Sequence, residues 1–341
     1  MAKWLTLALL AISSSTSMVR AETELERQIA ACGQLAACDV SVPFGTHVVT
    51  KAWNLRDKAS LTIRAPVGTQ IIWFFDVAPA PSVCMDTTGT RNIAFEGVTF
   101  ALGNASKRPD VLWLHGRGAD ARSQAILRVN NAAFLGWYAK AAVVFVAVEN
   151  EELHSVGFAN GVPNTPSLFL SRENELGVVS QFGPVRANPV TMTATNHVYV
   201  NCSFGHEGHV GLVPPANNDL GFGITLGSGV HDLCIQGGST SGGARGGVLR
   251  VLGTGNRRVA VISPNWEAKG AKATIVVDGY VYGLSVLGGL LQAVGPALVV
   301  NGTAENMVLH PTEMLTAGIV QMGAAGKLAG GGLSVDGFTG R

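Results

Sequence analysis

The sequence predicts an all-β fold, a parallel β-solenoid with a short helix at its N-terminal end. Short runs rich in Val, Ile, Leu and Phe are separated by glycines, of which the 341-residue chain has 43, and such runs are typical of β-strands. The runs recur at a nearly constant spacing. Within each run, apolar residues tend to recur two places apart, as one buried face of a strand requires.

The repeat is defined by aligning nine apolar runs on their first apolar residue. Neighbouring anchor residues are mostly about 22 to 26 positions apart, and two larger steps indicate enlarged loops at residues 103–125 and 205–222. Two short strands per unit, stacked through their inward side chains, make a parallel β-solenoid. A β-sandwich or β-propeller would instead need tight hairpins or four strands per blade. The anchors are Ile93, Leu127, Leu153, Leu176, Val198, Leu233, Val259, Leu284 and Met307.

Alternation along each strand predicts which side chains face the interior. The residues two positions after the anchors are apolar in all cases but Ser155. Those expected inside are Phe95, Val129, Val178, Val200, Ile235, Val261, Val286 and Leu309. In the segment NHVYVNCSF, residues 196–204, the same alignment places Val198, Val200, Cys202 and Phe204 inside and Asn201 at a turn.

The two ends of the chain differ from the repeat. Residues 22–31, ETELERQIAA, carry acidic residues early and apolar residues at helical spacing, which predicts a helix that caps the first coil. Past Leu315 the sequence loses the repeat and becomes glycine-rich. The predicted organisation is a signal peptide at 1–21, an N-terminal cap at 22–38, the solenoid at 39–315 and a loosely held tail at 316–341.

The first residues predict export from the cell. Lys3 is followed by an apolar stretch at residues 4–12 and by small polar residues that end at Ala21, the order of a cleavable signal peptide. No stretch reaches the roughly 20 apolar residues that span a bilayer. A secreted, extracellular chain can form disulfides, and two of its five cysteines, Cys32 and Cys38, are close enough to pair.

The charge balance argues against nucleic acid as a partner. The chain has 24 basic and 23 acidic residues, and only 14% of its residues are charged. Nucleic-acid-binding domains carry a clear excess of Lys and Arg. Any binding surface must therefore be local.

Two segments resemble a known superfamily. DVSVPFGTHVV, residues 39–49, is similar to the first strand and turn of pectate-lyase-like proteins, and NIAFEGVTF, residues 92–100, is similar to their recurrent strand pattern. The likeness covers roughly residues 39–312 and implies a single-stranded right-handed parallel β-helix. The superfamily includes polysaccharide lyases, polygalacturonase-type hydrolases, epimerases, phage tailspikes and members without known catalysis. No catalytic residue is transferred, because GHEGH at 205–209 lacks the flanking motifs of polygalacturonases.

One outward column of side chains is a candidate catalytic site. Residues at equal offset from the anchors should lie one above another, about 5 Å apart, and the positions just before the anchors include five ionisable residues in succession. They are Glu152, Glu175, His197, Asp232 and Arg258. Stacked carboxylates can raise one another's pKa or share a cation such as calcium, while His or Arg can move a proton. The alternative is a solvated outer face.

Three functions are open at this stage. The first is β-elimination of an acidic polysaccharide, with His197 or Arg258 as base and the carboxylates binding a cation or the substrate. Glycoside hydrolysis by Glu152 and Glu175 is its nearest variant. The other is a non-catalytic adhesin or tailspike-like structural protein that binds glycans, with a homotrimer as one arrangement. Substrate contacts are predicted beside the column, at Arg128, His154 and Tyr199.

The cluster His206, Glu207 and His209 is a second candidate for chemistry. Imidazole and carboxylate groups bind metals, but the spacing is not that of a helical zinc motif and glycines surround it. We interpret it as a surface loop.

Overall fold

A computed structural model confirms the all-β solenoid. It describes residues 23–75, 79–103, 108–117, 126–162, 165–184, 194–205, 222–241, 246–268 and 270–335. Within these ranges there is one α-helix, and all pairings between the named strands are parallel. None of the described helical residues forms a span long and apolar enough to cross a membrane. The predicted signal peptide and the cluster at residues 206–209 lie outside the described residues.

The elements follow one another in short, regular steps. In chain order they are α1 (Glu24–Gly33), β1 (Ala37–Ser41), β2 (Thr46–Val49), β3 (Trp53–Asn54), β4 (Ser60–Trp73), β5 (Val83–Asp86), β6 (Asn92–Leu102), β7 (Val111–Gly116), β8 (Ile126–Asn130), β9 (Ala133–Gly136), β10 (Ala141–Val146), β11 (Glu149–His154), β12 (Gly157–Asn160), β13 (Pro166–Ser171), β14 (Ala194–Val200), β15 (Ser203–Gly205), β16 (Phe222–Leu226), β17 (Val230–Gln236), β18 (Ser239–Ser241), β19 (Gly247–Val251), β20 (Asn256–Ile262), β21 (Asn265–Ala268), β22 (Ile275–Val277), β23 (Tyr280–Leu287), β24 (Leu290–Ala293), β25 (Pro296–Val300), β26 (Thr303–His310), β27 (Glu313–Leu315), β28 (Gly318–Met322) and β29 (Lys327–Val335).

The strands form three faces, which we name A, B and C. Face A contains β1, β8, β11, β14, β17, β20, β23, β26, β29 and the first halves of β4 and β6; face B contains β2, β9, β12, β15, β18, β21, β24, β27 and the second halves of β4 and β6; face C contains β3, β5, β7, β10, β13, β16, β19, β22, β25 and β28. Each coil therefore has three strands, whereas the sequence predicted two. The two strands of one apolar run were counted as one, because residues 155–156 alone separate β11 from β12.

Side chains from all three faces fill the interior of the solenoid. On face A they form two layers whose members are register partners in successive strands. The first layer is Leu61, Ile93, Leu127, Glu151, His197, Leu233, Val259, Leu284, Met307 and Leu333; the second is Ile63, Phe95, Val129, Leu153, Tyr199, Ile235, Val261, Val286, Leu309 and Val335. Six of the eight predicted inward residues are confirmed. Val178 and Val200 are not in the interior layers.

The alignment was wrong in the middle of the chain. Leu127 pairs with Glu151, which lies two positions before the predicted anchor Leu153. Glu151 in turn pairs with His197, one position before the predicted anchor Val198. The physical reason is that the two interior positions hold a carboxylate and an imidazole, so an alignment on apolar residues passes over them. In β14 the error of one residue inverts every side chain.

The predicted strand at Leu176 is instead a covering segment, residues 172–184. Leu176 and Val178 pack on the outer side of face C in a second buried cluster. Its strand residues are Val83, Val111, Leu114, Ala141, Val144, Val146 and Phe169. The buried Asp86 carboxylate fastens this segment, since it accepts hydrogen bonds from Ser180 Oγ at 2.5 Å and from Arg56 Nη1 at 2.9 Å. Face C is consequently apolar on both sides here, which is why its strands are continuous hydrophobic runs.

The N-terminal helix caps the first coil as predicted. Thr23 and Glu26 form a reciprocal capping box at its start, and Leu25 and Ile29 pack into the main core. Cys32 and Cys38 form a disulfide.

The solenoid continues past its predicted C-terminal boundary at residue 315. β28 pairs with β25 and β29 pairs with β26, so residues 318–335 add strands instead of a loosely held tail. Their glycines are compatible with this, because Gly330 and Gly332 adopt positive φ at a register shift in β29.

Turn glycines that both have positive φ differ in the space around them, which gives a test of the coil spacing. A Cβ at Gly238 (φ +84) would lie 2.3 Å from the Cys202 carbonyl oxygen, whereas a Cβ at Gly255 (φ +71) would meet nothing within 4 Å. We expect Gly255→Ala to cost about 1–2 kcal/mol of unfolding free energy through left-handed strain, and Gly238→Ala to cost clearly more. Urea denaturation of both variants measures the difference. Equal losses would mean that neighbouring coils are less tightly stacked than described.

Candidate functional site

The predicted catalytic column is not one line of outward residues. Asp232 and Arg258 lie at equivalent positions of β17 and β20 and form an ion pair, with Nη2 donating to Oδ2 at 2.7 Å. Glu152 pairs with Arg128 in the coil before, at 3.2 Å. Glu175 belongs to the covering segment, where it accepts hydrogen bonds from Ser171 and from the backbone of Ser228. His197 lies in the interior.

His197, the middle residue of the predicted column, belongs to a buried cluster with Glu151 and Tyr199. Glu151 and His197 are both 0% exposed, and Oε2 of Glu151 lies 3.1 Å from Nδ1 of His197. This is ion-pair distance without hydrogen-bond geometry. Tyr199 is also buried and donates its hydroxyl hydrogen to the same oxygen at 2.7 Å. Burial and the Glu151 carboxylate raise the pKa of Tyr199 well above its ordinary value. Glu151 was missed in the sequence because, apart from His197, the interior layer to which it belongs is apolar.

His115 extends this polar region on the opposite wall of the interior. Its Nδ1 lies 3.0 Å from both the hydroxyl and the carbonyl oxygen of Thr87, and that hydroxyl also accepts a hydrogen bond from Trp113. Burial lowers the pKa of His115, while the Glu151 charge counteracts the shift. These groups are enclosed by core side chains, so they are placed for structure and not for contact with a polymer.

The predicted substrate contacts are divided between surface and core. Arg128 and His154 are exposed on face A beside Glu152, and Tyr199 is buried. Arg128 is paired with Glu152, so the small patch that these residues form is charge-neutral.

A second surface, with more charged and aromatic side chains, lies further along face A. We call this surface the Tyr–Arg patch. Its central column is His231, Arg257, Tyr282 and Glu305, which are register partners in four successive strands. Strand spacing puts such neighbours about 4.8 Å apart. Three residues flank the column, namely Asp232, Arg258 and Tyr280. Arg257 and Arg258 are exposed, and Tyr282 is 41% exposed.

The backbone explains why two adjacent arginines both face the solvent. Asp232 and Arg258 have positive φ, of 56° and 53°, as do Gly283 and Asn306 at the equivalent positions of the next two coils. A residue in this conformation interrupts the alternation of the strand, so Arg257 and Arg258 both point outward while Val259 points inward. Because Gly283 has no side chain, no side chain projects from the position next to Tyr282.

Burial and neighbouring charges shift the pKa values of two groups in the patch. Burial is the main cause that lowers the pKa of His231, and Arg257 and Arg258 lower it further. Its Nε2 lies 2.9 Å from the Gly255 carbonyl oxygen, which only accepts, so Nε2 carries the proton and Nδ1 the lone pair of the neutral ring. Desolvation and Glu305 raise the pKa of Tyr280.

The residues do not fit the calcium site that the column suggested. Glu152 and Asp232 each have an arginine as neighbour, and Glu175 lies in another part of the molecule. Among the described residues, no group of three or more His, Cys, Asp or Glu side chains is arranged to hold a metal ion.

Comparison with known proteins finds similar solved structures but no similar sequence. No protein-family profile matches the chain, and no curated protein sequence matches it. The structure is similar to PfbA, a surface adhesin of Streptococcus pneumoniae, with a TM-score of 0.46 and 14% identity over 92% of this chain and 88% of that one. It is also similar to the A-module of the mannuronan C-5 epimerase AlgE4 of Azotobacter vinelandii, with a TM-score of 0.35 and 13% identity over 91% and 94%.

The fold is a parallel β-solenoid. This is what the resemblance to the pectate-lyase-like superfamily implied. Similarity at this level does not transfer an activity to the chain.

Proposed function

We propose that this protein is exported and binds an acidic polysaccharide through the Tyr–Arg patch. The observation that carries the proposal is the vertical stack of Arg257, Tyr282 and Glu305 on successive coils, with Arg258 beside it. A polymer laid along the solenoid axis would meet a basic, an aromatic and an acidic group in turn. The predicted secretion and the disulfide between Cys32 and Cys38 favour an extracellular place of action.

Each group in the stack has a specific use in binding a sugar acid. The planar guanidinium of Arg257 can donate two parallel hydrogen bonds to a carboxylate. Tyr282 offers a flat apolar surface with a polar tip, suited to a sugar ring that is apolar on one side and hydroxylated at its edge. Glu305 can accept hydrogen bonds from sugar hydroxyls. The arrangement therefore favours a uronate-containing chain over a neutral one.

Binding is tested with matched arginine variants. We expect Arg257→Ala and Tyr282→Ala each to weaken binding of a polyuronate, such as alginate or polygalacturonate, by tenfold or more, about 1.4 kcal/mol. Affinity electrophoresis with charged and neutral polysaccharides measures this. Arg128→Ala is the control, since it removes a paired guanidinium from the same face, and we expect it to change binding less than twofold. Equal losses in all three variants, or none, would contradict the proposal.

His231 gives a specific reason to consider catalysis as a second function. A neutral imidazole beside two arginines can act as a base in β-elimination: Nδ1 takes the C5 proton next to the uronate carboxylate, the bond between C4 and the glycosidic oxygen breaks as the C4=C5 bond forms, and the departing oxygen takes up a proton from the imidazolium or from water. The product absorbs ultraviolet light. We expect His231→Gln to abolish any such turnover while it retains binding. Binding without ultraviolet-absorbing product in the parent protein would favour the non-catalytic, adhesin-like function.

The predicted homotrimer can be tested by a direct measurement of mass. Light scattering of the intact protein reports its mass. A trimer would bring three Tyr–Arg patches to one polymer and increase avidity.

A further inference from the structure

Strand β14 carries two possible interior faces. In the structure His197 and Tyr199 point inward, while Val198 is 39% exposed and Val200 is half-buried. A shift of one residue would bury the two valines and expose the histidine and the tyrosine. Hydrophobic burial alone favours the valines over His197. Another interaction must therefore select the observed register.

The connection that precedes β14 gives little help in selecting its register. Residues 172–193 separate β13 from β14, whereas residues 227–229 alone separate β16 from β17. A short connection fixes where the next strand begins, and a long one does not. The connection before β14 therefore constrains the register of this strand less than the connection before β17 constrains that of β17.

The interior of the preceding coil distinguishes the two registers through Glu151. Its Oε2 lies 2.7 Å from the Tyr199 hydroxyl and 3.1 Å from Nδ1 of His197. In the shifted register these two partners would leave the interior, and valine side chains would face the carboxylate. A buried charge without partners is strongly unfavourable, and its cost exceeds the gain from burying two valines.

We propose that Glu151 selects the register in which β14 stacks on β11, by requiring His197 and Tyr199 in the interior. The residue is a positioning residue for the fold, independent of the polysaccharide-binding function proposed above. It keeps Val198, not His197, on the outer side of face A, and every later coil stacks on this strand.

The register can be read from the accessibility of a cysteine introduced at position 198. The reporter is Val198→Cys in a protein that also carries Cys234→Ser, because Cys234 is the half-buried thiol next to position 198. Cys84 and Cys202 are buried, and burial raises the pKa of Cys202 to about 11, so both react slowly. Maleimide labelling of refolded protein then reports position 198, and circular dichroism reports folding.

The expected result is a loss of labelling when Glu151 is replaced. Glu151→Leu should slow the labelling of the introduced thiol by tenfold or more in folded protein, because position 198 turns inward. Leu153→Ala, a cavity in the same strand that leaves the cluster in place, should leave the labelling rate within about twofold. Folded Glu151→Leu protein that is labelled as fast as the parent reporter would overturn the proposal.

A second variant decides the case in which Glu151→Leu does not fold. The triple substitution Glu151→Leu, His197→Leu and Tyr199→Phe continues the aliphatic layer of Leu127 and Leu233 and removes the hydroxyl that Glu151 accepts. We expect this variant to fold and to show fast labelling at position 198, since the observed register now buries apolar side chains at positions 197 and 199 without an unpaired polar group. If the triple variant also fails to fold, or labels slowly, Glu151 does not act through β14 and the proposal is wrong.

Discussion

Leu153→Asp is expected to abolish folding. Leu153 is 0% exposed and lies in the second interior layer between Val129 and Tyr199. An aspartate there would be buried without a partner, at a cost of several kcal/mol. Because folded domains are stable by only about 5–15 kcal/mol, we expect loss of soluble expression and of the β-type circular dichroism spectrum.

Val200→Asp is the informative control for that experiment. The alignment of apolar runs places Val200 inside, but in the structure it is the outward register partner of His154 and is half-buried. We expect this variant to fold and to lose about 1 kcal/mol or less. A Val200→Asp protein that fails to fold would show that β14 is in the other register, and a folded Leu153→Asp protein would contradict the interior position of Leu153 in β11.

The architecture was predictable because it rests on many repeated, apolar positions. Phe95, Val129, Ile235 and Val261 face the interior as the alternation predicted. Each interior layer needs only an apolar side chain of suitable size, so a single irregular position does not hide the period. The N-terminal helix was predictable for a different reason, namely its early acidic residues and the helical spacing of its apolar residues.

The candidate site was harder to predict because it depends on single-residue register. Asp232 and Arg258 were expected to be adjacent and outward, and they are. Glu175 was misplaced because LGVVSQF has the composition of a strand, although it covers face C. His197 was misplaced because polar interior residues such as Glu151 break the apolar pattern from which the register was taken.

Arg257, Tyr282 and Glu305 were missed although their sequence contains a signal. Positive φ at Asp232 and Arg258 adds one outward residue before the interior layer in each coil. Asn and Asp recur at this position, at Asn150, Asn196, Asp232 and Asn306, and these residues are among those that tolerate left-handed backbone. The arginine and tyrosine strands have Arg258 and Gly283 at this position instead, yet the anchors Val259, Leu284 and Met307 already place Arg257, Tyr282 and Glu305 at one shared offset. These three residues were missed because only the positions directly beside the anchors were considered as outward.

Phe134→Ala is expected to cause the largest loss of stability among conservative core truncations. Phe134 is 0% exposed and is stacked between Phe100 and Phe158, with ring centroids 5.4 and 5.6 Å away, and 5.1 Å from Trp113. The three phenylalanines come from consecutive coils, so the truncation leaves a cavity that neither neighbour can fill without leaving its own coil. We expect a loss of about 3–5 kcal/mol in the free energy of unfolding, measured by urea denaturation followed by tryptophan fluorescence.

The matched truncation is Phe44→Ala, which removes the same side chain from a site that is 73% exposed. We expect this variant to change stability by less than about 0.5 kcal/mol. Because each coil of a solenoid is stabilised mainly by its neighbours, the Phe134 cavity weakens the contacts of β9 with both β6 and β12, and the transition should broaden or divide into two steps as well as shift. A Phe134→Ala protein that loses no more stability than Phe44→Ala would mean that the aromatic stack does not hold successive coils together.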